Sequence, residues 1–90
     1  MTDAQLLTLT KANLQLAGAT WNEYLTVLIG AARQSIEREG IILTDTIEDN
    51  NLIVMYASYL YRKRAGNEAG MPRMLRYALN NRLFSQKAGE

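Results

Sequence analysis

Apolar positions in this 90-residue chain recur at the helical period in four stretches, each bounded by residues that start or stop helices. The first stretch follows Thr2-Asp3-Ala4-Gln5, a capping box in which a threonine hydroxyl and a glutamine side chain satisfy orphan backbone donors. Leu6, Leu7, Leu9, Ala12, Leu14 and Leu16 then predict a helix over residues 3–14, interrupted by Gly18. Thr20-Trp21-Asn22-Glu23 repeats the cap signature ahead of the clearest periodicity, carried by Trp21, Tyr24, Leu25, Leu28, Ile29, Ala32 and Ile36. Glu37, Arg38 and Glu39 close its polar side, and Gly40 suits the left-handed residue that ends a helix. A run of about 19 residues at about 1.5 Å each predicts a second helix roughly 28 Å long.

Ile41-Ile42-Leu43 has no second strand to pair with and reads as an extended linker packed on the core. Asp45-Thr46-Ile47-Glu48 offers a third cap. Behind it Ile47, Leu52, Met55, Tyr56, Tyr59 and Leu60 form a stripe thickened by Val54, Ala57 and Tyr61, in a helix running to about Ala65 and stopping at Gly66. The turn Gly66-Asn67-Glu68-Ala69-Gly70 leads to Pro72, which suits a first helical turn because its missing N–H would have been unpaired there. Met71, Met74, Leu75, Ala78, Leu79 and Leu83 supply the apolar face of the last helix, and Ser85 to Glu90 reads as a frayed polar tail. The expected fold is all-α, a compact bundle of about four helices with a short linker between the second and third. It forms one domain over residues 1–90, with Leu28 and Leu60 among its core positions.

Composition narrows the chemistry. Neither cysteine nor histidine is present, which removes thiolate chemistry, disulfides, and the commonest metal ligand and general base. Nucleophile pairs of the Ser/His or Cys/His kind are therefore excluded, and no glycine-rich phosphate loop is present. Glu37 with Glu39, or Glu48 with Asp49, are spaced so that they do not face each other on a helix, so they read as surface charge rather than an acid–base pair. Asp45-x-x-Glu48-Asp49 lacks the length and glycine of a calcium loop and reads as a cap. The expectation is no enzyme, no cofactor and no metal. Apolar runs are short, so no membrane span is expected, nor any leader segment.

Charge is distributed unequally. Residues 1–61 carry three basic and seven acidic side chains, whereas residues 62–90 carry seven basic and two acidic ones, within a net charge of +1. The basic third begins in Ser58-Tyr59-Leu60-Tyr61-Arg62-Lys63-Arg64 and continues in Arg73 and Arg76 beyond the turn. Tyr56 and Tyr59 share a helical face and read as core, whereas Tyr61 points elsewhere and is a candidate for contact with a partner or a base. Arg62, Lys63 and Arg64 wrap a helix end, where they also oppose the negative end of its dipole. Arg73 and Arg76 lie one turn apart on one side of the last helix. From charge alone this surface is either a solvated face or a docking face. A DNA-binding helix-turn-helix fits less well, because the turn is long and no exposed recognition helix stands out.

The segments "LTVLIGAARQSIEREG" and "NNLIVMYASYLYRKRAGNEAGMPRMLRYALNNRLF" resemble the small head–tail connector, or adaptor, proteins of tailed bacteriophages. The likeness lies in an early helix, and in a Leu/Ile-rich helix with an alanine pair that ends before a loop. It continues in the aromatic and basic run Tyr59-Leu60-Tyr61-Arg62-Lys63-Arg64, and in a proline-started helix with Asn80-Asn81-Arg82. It covers nearly the whole chain through loose apolar patterns. The resemblance implies a virion structural protein at the head–tail interface, present in the host cytoplasm before assembly. It implies a homo-oligomeric ring on the portal protein, contact with further connector or tail-completion proteins, and DNA passing through the channel non-specifically. Tyr61, Arg62, Arg64, Arg73 and Arg76 would then form an assembly or channel surface. The linker near Gly40 to Thr44 is shorter than a long gripping loop would need. The alternatives are a small helical nucleic-acid-binding regulator and an interaction module with another partner.

Overall fold

The computed structural model describes residues 1–66 and 70–89. Four helices follow one another, α1 (Asp3–Leu14), α2 (Asn22–Arg38), α3 (Ile47–Arg64) and α4 (Arg73–Ala88), and no strand occurs among the described residues. The expected all-α bundle is what forms. The turn expected between the last two helices includes Asn67, Glu68 and Ala69, which lie outside the described residues.

Local chemistry accounts for most of the boundaries. At the start of α1 the Gln5 N–H donates to Thr2 Oγ1 at 3.2 Å and the Thr2 N–H donates to Gln5 Oε1 at 2.9 Å, a complete capping box. The helix ends at Leu14, as expected, and Gln15 rather than Gly18 closes it, taking up a left-handed φ of 58° while the Leu16 N–H closes back on the Lys11 carbonyl at 2.9 Å. The second predicted cap does not form. Trp21, not Thr20, precedes α2, and no side chain caps it. Trp21 already has helical backbone angles and its ring packs against Tyr24 and Tyr61, so aromatic contact takes the place of the threonine cap. Thr46 caps α3 by accepting from the Asp49 N–H at 3.1 Å. Gly40, at φ 95°, ends the α2 region as its position predicted.

The bundle is organised around α3. Residues 52–54 and 56–59 of that helix are all buried, so it is covered nearly all round. The other three helices each pack on it. Leu6, Leu25, Ala32, Ile36, Leu75 and Leu79 are closed off from solvent, each large one contributing about 1.5–3 kcal/mol by leaving water. Leu28 and Leu60, expected in the core, are only partly buried. The apolar stripes of two helices are narrower than expected, because Ile47 is 89% exposed at the first turn of α3 and Met74 is 76% exposed on α4.

The linker behaves as expected. Ile41 is buried, Ile42 exposed and Leu43 half-buried, an alternation typical of extended chain lying on a core. Its anchoring shows why α4 continues through Ser85–Ala88, the segment expected to fray. Gln86 accepts from the Ile42 N–H at 2.7 Å and donates to the Gly40 carbonyl at 2.8 Å, tying the last turns of α4 to the linker.

Candidate docking surface

Of the five residues singled out by sequence, Tyr61, Arg62 and Arg64 share one corner, whereas Arg76 is drawn to Glu39 beyond the end of α2. Tyr61, Arg62 and Arg64 sit at the C-terminal end of α3, beside the start of α2 and the end of α1. Arg73 and Arg76 lie in the first turn of α4. At the α3 end, Tyr61 joins Trp21 and Tyr24 in a three-ring cluster. Trp21 meets Tyr61 edge-on at 5.8 Å between centroids, and Tyr24 lies 6.3 Å from Trp21 and 6.4 Å from Tyr61. The Arg64 guanidinium lies over the Tyr24 ring at 5.8 Å. Together with Ala65 these residues line an open cleft of about 280 Å³, large enough for a protruding side chain rather than a cofactor. The Tyr24 hydroxyl oxygen is buried beside this cleft and has no hydrogen-bond partner among the described residues.

The neighbouring cations are held lightly. Arg62 donates to the Asn13 side-chain oxygen at 3.2 Å and to its carbonyl at 3.4 Å. Lys63 lies 5.8 Å from the centre of the Tyr59 ring, which also meets Tyr56 in an edge-on contact at 5.9 Å. None of Arg62, Lys63 and Arg64 is paired with a carboxylate among the described residues. All three sit where the α3 carbonyls point outward, so the helix dipole supplies part of their stabilisation. Tyr56 and Tyr59 are core residues, as expected.

On α4 the two arginines separate in role. Arg73 is exposed, with no described polar contact. Arg76, half-exposed, holds Glu39 in a two-pronged ion pair, Nη1 to Oε1 at 2.7 Å and Nη2 to Oε2 at 3.1 Å. That hydrogen bonding raises the Arg76 pKa against the opposing effect of burial. The expectation of two arginines sharing one solvated side therefore applies to Arg73 and not to Arg76.

The strongest electrostatic feature lies elsewhere, at Asp49, and corrects the sequence reading of that residue as surface charge, because Arg82 and Thr44 draw its carboxylate into the fold. Asp49 is fully buried, and its carboxylate accepts from Arg82 Nε at 2.6 Å, Arg82 Nη2 at 3.1 Å, the Thr44 N–H at 2.8 Å and the Thr44 hydroxyl at 3.1 Å. Arg82 also donates to the Ile42 carbonyl at 2.9 Å. Burial alone would raise the Asp49 pKa. The bonds from Arg82 and Thr44 outweigh it, and the carboxyl is held below its ordinary value. Arg82 is held above its own by the same pair. This group fastens α4 to the linker and to the start of α3. With four donors on its carboxylate, this group has structural work.

Among the described residues no group of three or more acidic, cysteine or histidine side chains could hold a metal ion, and no helix is long and apolar enough to cross a membrane. Protein-family models, curated proteins and solved structures provide no match to this chain. The α3 corner, with its open cleft and lightly held cations, remains the best-formed candidate for a docking surface.

Proposed function

We propose that this protein is a structural component of a tailed phage, a connector that assembles as a ring of identical subunits on the portal and joins head to tail. The observation that carries the reading is the charge left at the surface after internal pairing. Among the described residues, only Glu39 and Asp49 of the acidic body are neutralised by the basic third, through Arg76 and Arg82. The two regions therefore keep opposite signs outside the fold. Identical subunits with opposite ends associate head to tail, the heterologous contact from which rings close. The resemblance of the helical segments to head–tail connectors points the same way. In this role the chain performs no catalysis. The corner of Tyr61, Arg62 and Arg64 receives a side chain from a neighbouring protein, and DNA passes through the ring without sequence being read.

The rival regulator reading draws on the cations at the α3 end. Arg62 and Arg64 are held there only by Asn13 and the Tyr24 ring, so the geometry of this corner suits a phosphate backbone as well as a protein. One experiment separates the two. The double variant Arg62→Glu with Arg64→Glu should remain folded yet fail to be captured by portal rings, and should not complement a connector-null phage. Normal plaque yield from that variant would remove the corner from the assembly surface. Duplex DNA binding that collapses between roughly 50 and 200 mM salt, with portal capture absent, would favour the regulator.

A further inference from the structure

The outward faces of α2 and α4 share one spacing. On α2 the exposed residues Glu23, Val27, Gly30, Gln34 and Glu37 recur at intervals of four, three, four and three; on α4 Arg73, Tyr77, Asn80, Phe84 and Lys87 recur at the same intervals. Each set is one straight stripe on its helix, with charged ends 14 residues, or about 21 Å, apart. The ends of the α2 stripe are acidic and those of the α4 stripe basic. None of the four is ion-paired among the described residues. Between those ends α4 presents Tyr77 at 59% and Phe84 at 76% exposure, and α2 presents Val27 at 64%. Met74 widens the apolar side of α4, and Arg38 stands at the edge of the α2 stripe beside Glu37.

Gly30 supplies a second, independent observation. A glycine inside a helix costs about 1 kcal/mol relative to alanine. Nothing within the subunit requires it, because its φ is not in the left-handed region and a Cβ there would meet no atom within 4 Å. A bare backbone at the middle of an exposed helix face suits the close approach of another helix.

We infer that the α4 face of one subunit docks on the α2 face of a second copy of the same chain. The inference rests on the ring-forming reading above and specifies its contact. Arg73 and Lys87 meet Glu23 and Glu37 at the two ends, Tyr77 and Phe84 cover Val27 and the aliphatic stem of Gln34, and Asn80 lies over Gly30. Pairing of like faces is disfavoured, since α4 on α4 opposes Arg73 and Lys87 and α2 on α2 opposes glutamates. Unlike faces leave each subunit one free face of each kind, so the contact propagates until it closes. A single pair of helix faces lies at the small end of specific interfaces, so each contact is weak and assembly depends on concentration.

Sedimentation of the purified chain over a range of concentrations tests this. Arg73→Glu with Lys87→Glu, and separately Glu23→Lys with Glu37→Lys, should each weaken self-association at least tenfold while circular dichroism stays helical. An equimolar mixture of the two should assemble again, because the reversed α4 of one now fits the reversed α2 of the other. Gly30→Leu should melt no lower than the parent and still lose assembly. Reversed variants that assemble like the parent, or a mixture that stays monomeric, would overturn the docking of these faces. A parent chain that is monomeric at millimolar concentration would overturn it as well. Capture by portal rings would still decide the connector reading separately.

Discussion

The two ends of α3 hold charge in opposite ways. At its start a carboxylate is buried and saturated, since Asp49 is closed off from solvent and accepts four hydrogen bonds. At its end Arg62, Lys63 and Arg64 ring the helix at the surface, held by one asparagine and two aromatic faces. Charge at the first end belongs to the fold, because α4 and the linker would lose their common anchor without it. Charge at the second end is available to something outside. A cluster of arginines draws the eye in a sequence, yet the arginine on which the fold depends here is the isolated Arg82, inside an apolar stripe.

The sharpest way to break this comparison is to remove one partner of the buried pair. Arg82→Met should destabilise the protein by about 3–5 kcal/mol, because it leaves the Asp49 carboxylate buried with only Thr44 to satisfy it. A domain of this size has little more than that to lose, so thermal melting should show a large drop or no folded state. Combining it with Asp49→Leu should recover much of the loss, since no charge is then stranded. Urea denaturation of the single and double variants measures both. A cost under about 1 kcal/mol for Arg82→Met would mean that water reaches the carboxylate.

Acid should expose the same difference more gently. The Asp49 pKa is lowered in the folded protein, so the pair contributes fully above the ordinary aspartate value and its contribution is lost as pH falls through the folded value. Melting temperatures recorded from pH 7 down to pH 2 should fall steeply only below about pH 4. The Asp49→Asn protein, which has nothing to titrate there, should start lower and fall less. Parallel curves for the two proteins would contradict the assignment.

How far the sequence could be read follows the same division. Helix number, the α1 cap and the Gly40 stop depend on residues within a few positions of one another, and those were legible. Thr20 misled because a tryptophan beside it found a tertiary partner in Tyr61 as well as a local one in Tyr24, and packing decided where α2 starts. The polar end of α4 looked frayed because its anchor, the Gln86 bridge to Gly40 and Ile42, joins residues more than forty positions apart. Asp49 and Arg82 did carry a signal. Asp49 precedes Leu52 by three positions and Arg82 follows Leu79 by three, so each charge falls on the apolar face of its helix. A charge in such a place predicts a buried partner of opposite sign, although spacing alone cannot say which one.

Arg76 lies between the extremes. Its pair with Glu39 has two good hydrogen bonds, but the arginine side chain is 43% exposed, so solvent screens much of the attraction. Arg76→Glu should therefore cost about 1 kcal/mol, combining the lost pair with repulsion from Glu39. In a domain of this length that corresponds to a drop of about 4–8 °C in melting temperature. Most of the drop should vanish in the swapped double variant, Arg76→Glu with Glu39→Arg. Failure of the swap to recover stability would point to packing of the arginine stem rather than charge.

The smallest change should come from a single oxygen at the other end of α3. The Tyr24 hydroxyl is buried with no hydrogen-bond partner among the described residues, whereas its ring contacts Trp21, Tyr61 and Arg64. Tyr24→Phe removes the oxygen and keeps the ring. Because a buried polar atom without a partner is a cost to the folded state, its deletion should leave stability unchanged or raise it by up to about 1 kcal/mol. Asp49→Asn, an equally small change in atoms, should be strongly destabilising, since it removes the charge that four donors address. Denaturation of the two variants side by side thus contrasts the two ends of α3 directly. A loss of more than about 1 kcal/mol in Tyr24→Phe would mean that the hydroxyl has a partner in solution, and the α3 corner would then be as fully satisfied as the buried pair.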